Sequence, residues 1–151
     1  MFFSNDMKDL IKLFNDYKVS YALVGGFAVN YYGYVRTTLD IDLLINPTKE
    51  NAKKVMLALQ DFGFGKAGIP KKLFEEPGSA IHLGVEPNRI DLLTHLVGIE
   101  NEQIFSNFQR VKIDATQVNI IAYSDLIQAK KNSKRLRDQA DAEELEKSRK
   151  T

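Results

Sequence analysis

Two aspartates one residue apart, Asp40 and Asp42, interrupt the otherwise apolar run from Leu39 to Ile45, and they constrain the fold more than any other feature of the chain. Strand side chains alternate between faces, so Asp40 and Asp42 point one way while Leu39, Ile41 and Leu43 point to the other face, which can be buried. A strand of this kind needs a sheet with a core on one side and a polar place for two carboxylates on the other. Carboxylates held side by side repel each other unless a cation sits between them, and a site made only of oxygen suits Mg²⁺. Upstream, the apolar stretch Tyr21-Ala22-Leu23-Val24 ends in Gly25-Gly26. A glycine pair at a strand end lets a turning backbone approach phosphate groups closely. Metal together with phosphate is the chemistry of nucleotide transfer.

The rest of the chain sets bounds on this reading. Its 151 residues suit one domain, 1–151, large enough to bury a core, and 44% hydrophobic with 27% charged residues is ordinary globular composition. A net charge of +1 does not announce a nucleic-acid binder. With no cysteine, disulfides, thiolate catalysis and cysteine-based zinc sites are excluded. No apolar run reaches the roughly 18 to 20 residues of a membrane span. Asp6 and Asp9 sit in an amphipathic N-terminal pattern unlike a signal peptide. A cytoplasmic protein with no membrane partner is the expectation.

Periodicity then places the elements. Met7, Leu10, Ile11 and Phe14 have helical spacing behind a cap at Ser4, Asn5 or Asp6, which predicts a helix over about 5–17. Strands are expected over 19–24 and 40–45, with a short helix over 27–32 between them that Gly33 closes. A helix over about 49–62 follows, stopped by Gly63 and Gly65. The Gly-, Pro- and Lys-rich segment 63–78 reads as a mobile loop around Leu73-Phe74. Alternation over 81–85 and 89–93 about Glu86-Pro87-Asn88 reads as a hairpin. A short helix over about 100–108 and strands at 111–113 and 118–121 come next. A single C-terminal helix, capped by Ser124, runs to about 147. Together these predict an α+β fold, a sheet with helices packed mainly against one face.

Gly25-Gly26, followed about a dozen residues later by Asp40-Ile41-Asp42, is similar to the signature of the nucleotidyltransferases related to DNA polymerase beta. In that superfamily a third carboxylate follows on a later strand, and here Asp91, in Arg89-Ile90-Asp91-Leu92-Leu93, is the candidate. Within the superfamily, Val24-Gly25-Gly26-Phe27-Ala28-Val29 with Arg36, Thr38, Asp40 and Asp42 looks like the small bacterial branch related to the AbiEii abortive-infection toxins. So does the C-terminal region, with Asp125-Leu126-Ile127, Lys130, Arg135, Asp138 and Asp141. That branch often carries a Gly-Arg after the lysine; here Ser133-Lys134-Arg135 lacks the glycine.

The resemblance implies a nucleotidyltransferase fold with a mixed, mostly antiparallel sheet. It implies Mg²⁺-dependent transfer of a nucleoside monophosphate from an NTP, with two metal ions and Mn²⁺ as an alternative. Asp40 and Asp42 would hold the ions, and Asp91 would bind one of them and help deprotonate the acceptor. Gly25 and Gly26 would admit the phosphates, beside Arg36, Thr38 and Lys130. The acceptor stays open between RNA, protein and a small molecule such as an antibiotic, and a second copy or a partner protein would complete the cleft. The competing reading is a non-catalytic nucleotide-binding or antitoxin-like regulator of the same fold.

Several of these residues have plainer readings. Asp91 has Arg89 as an alternative partner, and the last helix could simply carry Arg135–Asp138 and Lys134–Asp138 pairs on a solvated face. Tyr31, Tyr32 and Tyr34 suit packing better than base stacking. Lys66, Lys71 and Lys72 suit a solvated loop. His82 and His95 have no carboxylate or histidine cluster near them in sequence, and His95 lies just past Asp91.

Overall fold

The chain's architecture was obtained as a computed structural model, which describes residues 3–150. Helix α1 spans Asn5–Asp16, and Ser4 Oγ accepts a hydrogen bond from the Met7 N–H at 3.2 Å, which satisfies one of the free donors of the first turn. Its apolar stripe, Met7, Leu10, Ile11 and Phe14, is buried. Strand β1 (Tyr21–Val24) runs directly into helix α2 (Gly25–Tyr31), and strand β2 (Ile41–Ile45) follows a nine-residue connection, 32–40. Thr48 caps helix α3 (Lys49–Leu59), accepting from the Asn51 N–H at 3.0 Å. The buried Asn51 amide is fully used, bonding the Ser20 N–H and both the Ser20 and Asn46 carbonyls. That bonding clamps the start of α3 to the segment leading into β1.

Strands β3 (Ala80–Leu83) and β4 (Ile90–Leu93) form the expected hairpin. Helix α4 (Asn101–Asn107) precedes a second hairpin, β5 (Gln109–Ile113) and β6 (Thr116–Ile120). Helices α5 (Tyr123–Lys131) and α6 (Leu136–Lys150) close the chain. The six strands make one mixed sheet in the order β3-β4-β2-β1-β6-β5. Its hairpins and the β1–β2 pair are antiparallel, whereas β2–β4 and β1–β6 are parallel. This is the expected α+β architecture. The central strand β1 is buried at all four positions, as a strand covered on both faces must be. On one side Tyr21 packs against Phe14 of α1, its hydroxyl donating to Asn15 Oδ1 at 2.8 Å. On the other lie the carboxylate row and α5. Among the described residues no helix is long and apolar enough to cross a membrane.

Two expectations are corrected. The C-terminal helix is not continuous over 124–147: Asn132 ends α5 and α6 restarts at Leu136. The break holds because Ser133 uses its hydroxyl twice, accepting from the Arg135 N–H at 3.1 Å and donating to Asp138 at 2.7 Å. A serine that bonds nearby backbone competes with helix continuation. The segment 63–78 is not free around Leu73-Phe74 either. Lys71–Phe74 forms a tight turn against α3 with Phe74 completely buried, so an aromatic anchor holds the middle of the glycine-rich stretch. Phe74→Ala is therefore expected to cost about 3–5 kcal/mol in urea unfolding, the usual penalty for emptying a buried aromatic site. A change below 1 kcal/mol would mean that the anchor is not engaged in solution.

Candidate active site

Strand register builds the first wall of the site. The antiparallel β1–β2 pairing sets Val24 opposite Asp42, the parallel β2–β4 pairing sets Asp42 opposite Asp91, and the β3–β4 hairpin sets Asp91 opposite His82. Directly paired residues share a face, so these four form one row across the sheet. Asp40 lies just before β2, and its carboxylate accepts the Arg89 N–H at 3.1 Å, which ties the entry of β2 to the entry of β4. The Thr38 hydroxyl donates to the Asp40 carbonyl at 3.3 Å.

Helix α2 begins at the end of this row. Gly25 has a φ of +69°, in the region that favours glycine, and a Cβ there would stand on the Asp42 carboxylate. A Cβ at Gly26 would press on the Thr38 hydroxyl. In this structure the glycine pair makes room for the Asp42 and Thr38 side chains, and both glycines line the cleft in front of them.

The second wall comes from α5, α6 and the 32–40 connection. Arg36 forms a two-pronged pair with Asp141, Nε to Oδ1 and Nη2 to Oδ2, both at 3.0 Å. Lys130 reaches Asp138 at 2.9 Å and Asp141 at 3.1 Å. Asp141 is 1% exposed, so its charge is acceptable only because two cations meet it. The expected Arg36 and Lys130 therefore reach the cleft already paired. The i,i+3 and i,i+4 pairs expected for Asp138 are replaced by Lys130 from the neighbouring helix. Burial works to raise the Asp138 carboxyl, but hydrogen bonds from Ser133 and Lys130 outweigh it and hold the group below its ordinary range. Lys134, Arg135 and Arg137 also line the cleft and are in no ion pair among the described residues.

Between the walls lies a cleft of about 1110 Å³. It brings together Gly25, Gly26, Arg36, Thr38, Asp40, Asp42, Asp91 and Lys130, the residues that the resemblance implied for metal and nucleotide. His95 lines it as well, whereas Tyr31, Tyr32, Tyr34 and the lysines of 63–78 do not. Tyr32 packs edge-on to Tyr31 and Tyr123 and donates its hydroxyl to the Ile121 carbonyl at 2.7 Å.

The electrostatics of the carboxylates differ sharply. Asp42 is pushed up to about 6, by burial first, then by the negative charge and hydrogen bonding of Asp91, with Lys130 opposing. Burial also works to raise Asp91, but hydrogen bonds from Arg89 and His82 win and hold it below the ordinary carboxylate range. Arg89 grips Asp91 with Nε at 2.7 Å and Nη2 at 3.0 Å, lies 3.6 Å from Asp40, and reaches Glu86 at 3.3 Å. His82 Nδ1 sits 2.6 Å from Asp91. So Asp91 has the Arg89 partner that the sequence allowed and a histidine partner that it did not suggest. A hairpin symmetric about Pro87 would put Leu83 opposite Asp91; the actual register is shifted by one residue and brings His82 there.

The donor chemistry of Asp40, Asp42 and Asp91 is that of a hard divalent cation. As the side chains stand, no group of three or more Asp, Glu or His among the described residues is arranged to hold one. The Arg89 guanidinium already takes the place between Asp40 and Asp91.

No protein-family model matches the sequence, and no curated protein matches it. Solved structures do. The lincosamide antibiotic adenylyltransferase LnuA, lincomycin-bound, aligns with a TM-score of 0.55 at 17% identity, covering 95% of this chain and 97% of that one. A proposed nucleotidyltransferase from Thermotoga maritima aligns at 0.57 and 11% identity, covering 95% and 88%. An antigenic nucleotidyltransferase-like protein from Paracoccidioides brasiliensis aligns at 0.53 and 14% identity, covering 95% and 77%. At these identities the likeness shows the fold: the chain has the fold of nucleotidyltransferases.

The raised Asp42 carboxyl has a consequence for stability. The unfolded group releases its proton near 3.8 and the folded group near 6, so between these values the folded state binds more protons. Stability therefore falls as pH rises through that window, and above it the ionised group costs about 1–3 kcal/mol. In metal-free buffer Asp42→Asn is expected to raise the thermal midpoint by about 2–6 °C at pH 7.5 and to leave it nearly unchanged at pH 4. An equal shift at both pH values would remove charge as the cause.

Proposed function

We propose that this chain is a metal-dependent nucleotidyltransferase, moving a nucleoside monophosphate from an NTP to an acceptor hydroxyl with release of pyrophosphate. The observation that carries this reading is the pairing of Asp42 with Asp91 on adjacent parallel strands, with Asp40 beside them, in a cleft whose opposite wall bears cations. Asp40 and Asp42 would hold Mg²⁺ or Mn²⁺, and Asp91 would join them once released from Arg89. Bound ions of this kind would neutralise the attacking and leaving oxygens of an in-line displacement.

The chain's own residues supply the rest. Gly25 and Gly26 line the cleft at the head of α2, where, beside Asp42 and Thr38, they would let phosphate oxygens approach the backbone. Arg36 and Lys130, held in place by the buried Asp141, form a fixed floor of paired charge on the far wall. Lys134, Arg135 and Arg137 are the cations left to meet a polyphosphate. Asp91, once released from Arg89, would help take up the acceptor proton, and His82, on its Oδ1, would orient it.

For the acceptor, a small molecule is favoured. The cleft exceeds the usual size of a single small-ligand pocket, so it has room for a nucleotide and a second small molecule together. LnuA, a lincosamide antibiotic adenylyltransferase with lincomycin bound, is matched here over 97% of its chain and 95% of this one, which supports an acceptor of that class. An RNA acceptor, as the AbiEii-like resemblance suggests, is the second reading, supported by Lys134, Arg135 and Arg137, which are in no ion pair among the described residues. In that case a second copy or a partner would extend the cleft.

Two measurements test the proposal. Thermal unfolding with Mg²⁺ and each of the four NTPs should show a midpoint rise that requires both metal and nucleotide and disappears in Asp42→Ala. Labelled NTPs offered lincosamides, aminoglycosides, tRNA and lysate protein in parallel should label one class with loss of pyrophosphate. Tight NTP binding with no labelling of any acceptor would instead support the non-catalytic regulator.

A further inference from the structure

Arg89 stands where a shared cation would stand. Its guanidinium makes two bonds to Asp91 and lies 3.6 Å from Asp40, so it bridges the carboxylates contributed by the entry of β2 and by β4. Its backbone is fixed from the same side, because the Arg89 N–H bonds Asp40 and the Arg89 carbonyl accepts the Ile41 N–H at 3.0 Å. Only the side chain is free to turn. Asp91 is almost completely buried, whereas the third carboxylate that Arg89 touches, Glu86, is 62% exposed in the β3–β4 connection. The guanidinium thus has an outer partner already within reach when it leaves the inner ones.

We propose that Arg89 is a resident counter-cation that keeps free divalent metal out of the Asp40–Asp91 position and is exchanged for metal only when nucleotide arrives. The inference rests on the metal-binding reading above. Its logic is charge balance. A bare divalent ion entering beside the guanidinium adds two positive charges where one already offsets part of the carboxylate charge, and the close cations repel. An ion carried by a triphosphate brings a net negative complex instead. The phosphates and Glu86 then take the guanidinium as the ion takes the aspartates, and no buried charge is left unpaired at any stage. The site would be closed to metal at rest and opened by substrate.

Mn²⁺ binding to the whole chain, measured by equilibrium dialysis as the metal held on the protein side in excess of the bath, tests this without any turnover. Wild type, Arg89→Gln and Arg89→Lys are titrated with Mn²⁺ alone and with Mn²⁺ plus a mixture of the four NTPs. Without nucleotide, Arg89→Gln is expected to bind Mn²⁺ on the order of tenfold tighter than wild type, since one repelling charge has gone. With nucleotide that gain should disappear or reverse, because the variant lacks the guanidinium that the phosphates take in wild type. Circular dichroism verifies the fold. If Arg89→Gln does not fold, Arg89→Lys carries the test: its single ammonium cannot span both carboxylates, and about threefold tighter binding is expected. Equal Mn²⁺ affinity in folded wild type and variant without nucleotide, alongside clear binding with it, overturns the counter-cation role and leaves the metal site standing. No Mn²⁺ binding under any condition overturns both.

Discussion

The parallel pairing of β2 with β4 is the constraint from which the rest of the site follows. It sets Asp42 directly beside Asp91, on a face that helices and loops partly cover, and so places like charges at close range. Everything around them can be understood as a response to that repulsion. Asp91 is neutralised by Arg89 and His82 and remains a strong acid. Asp42 faces Lys130 across the cleft but touches no cation directly among the described residues, and it is the carboxylate whose affinity for a proton rises. The missing side chain at Gly25 gives its carboxylate the space to stand there at all.

The opposite wall solves the reverse problem. Cations gathered on one wall of a cleft repel each other, and the buried Asp141 and the partly buried Asp138 hold Arg36 and Lys130 in position. This ties three separate parts of the chain together: the connection before β2, the end of α5 and the middle of α6. The break at Asn132–Arg135 is needed for it, because one straight helix could not bring Asp138 and Asp141 back onto Lys130. Apart from Asp42, the inner charges of both walls are thus satisfied by neighbours, and the outer cations are left open to solvent.

Much of this was legible in the chain. The alternation around Asp40 and Asp42, the apolar run ending in two glycines, and the Ile90-Asp91-Leu92 pattern are local signals, and local signals survive in a linear sequence. The helices over 5–16 and 49–59 follow the same rule, being set by spacing and by caps at Ser4 and Thr48. What could not be read depended on contacts between distant segments. Phe74 looked like part of a loose basic loop until α3 was placed beside it. Asn132-Ser133 held a signal for the helix break, since both residues favour local side-chain bonding over helix interior, but the charged periodicity on either side concealed it.

By itself, then, the sequence determined the α+β class, the strand that carries Asp42 with Asp40 at its entry, the turn that carries Gly25 and Gly26, and the local Ile90-Asp91-Leu92 pattern. Each depends on a period or a turn spanning a few residues. Only the tertiary structure decided which partners those groups have: Arg89 and His82 on Asp91, Asp141 between Arg36 and Lys130, Thr38 over Gly26. Partnership across strands and helices is set by register, and a register shift of one residue exchanges one side chain for its neighbour while the local pattern stays the same.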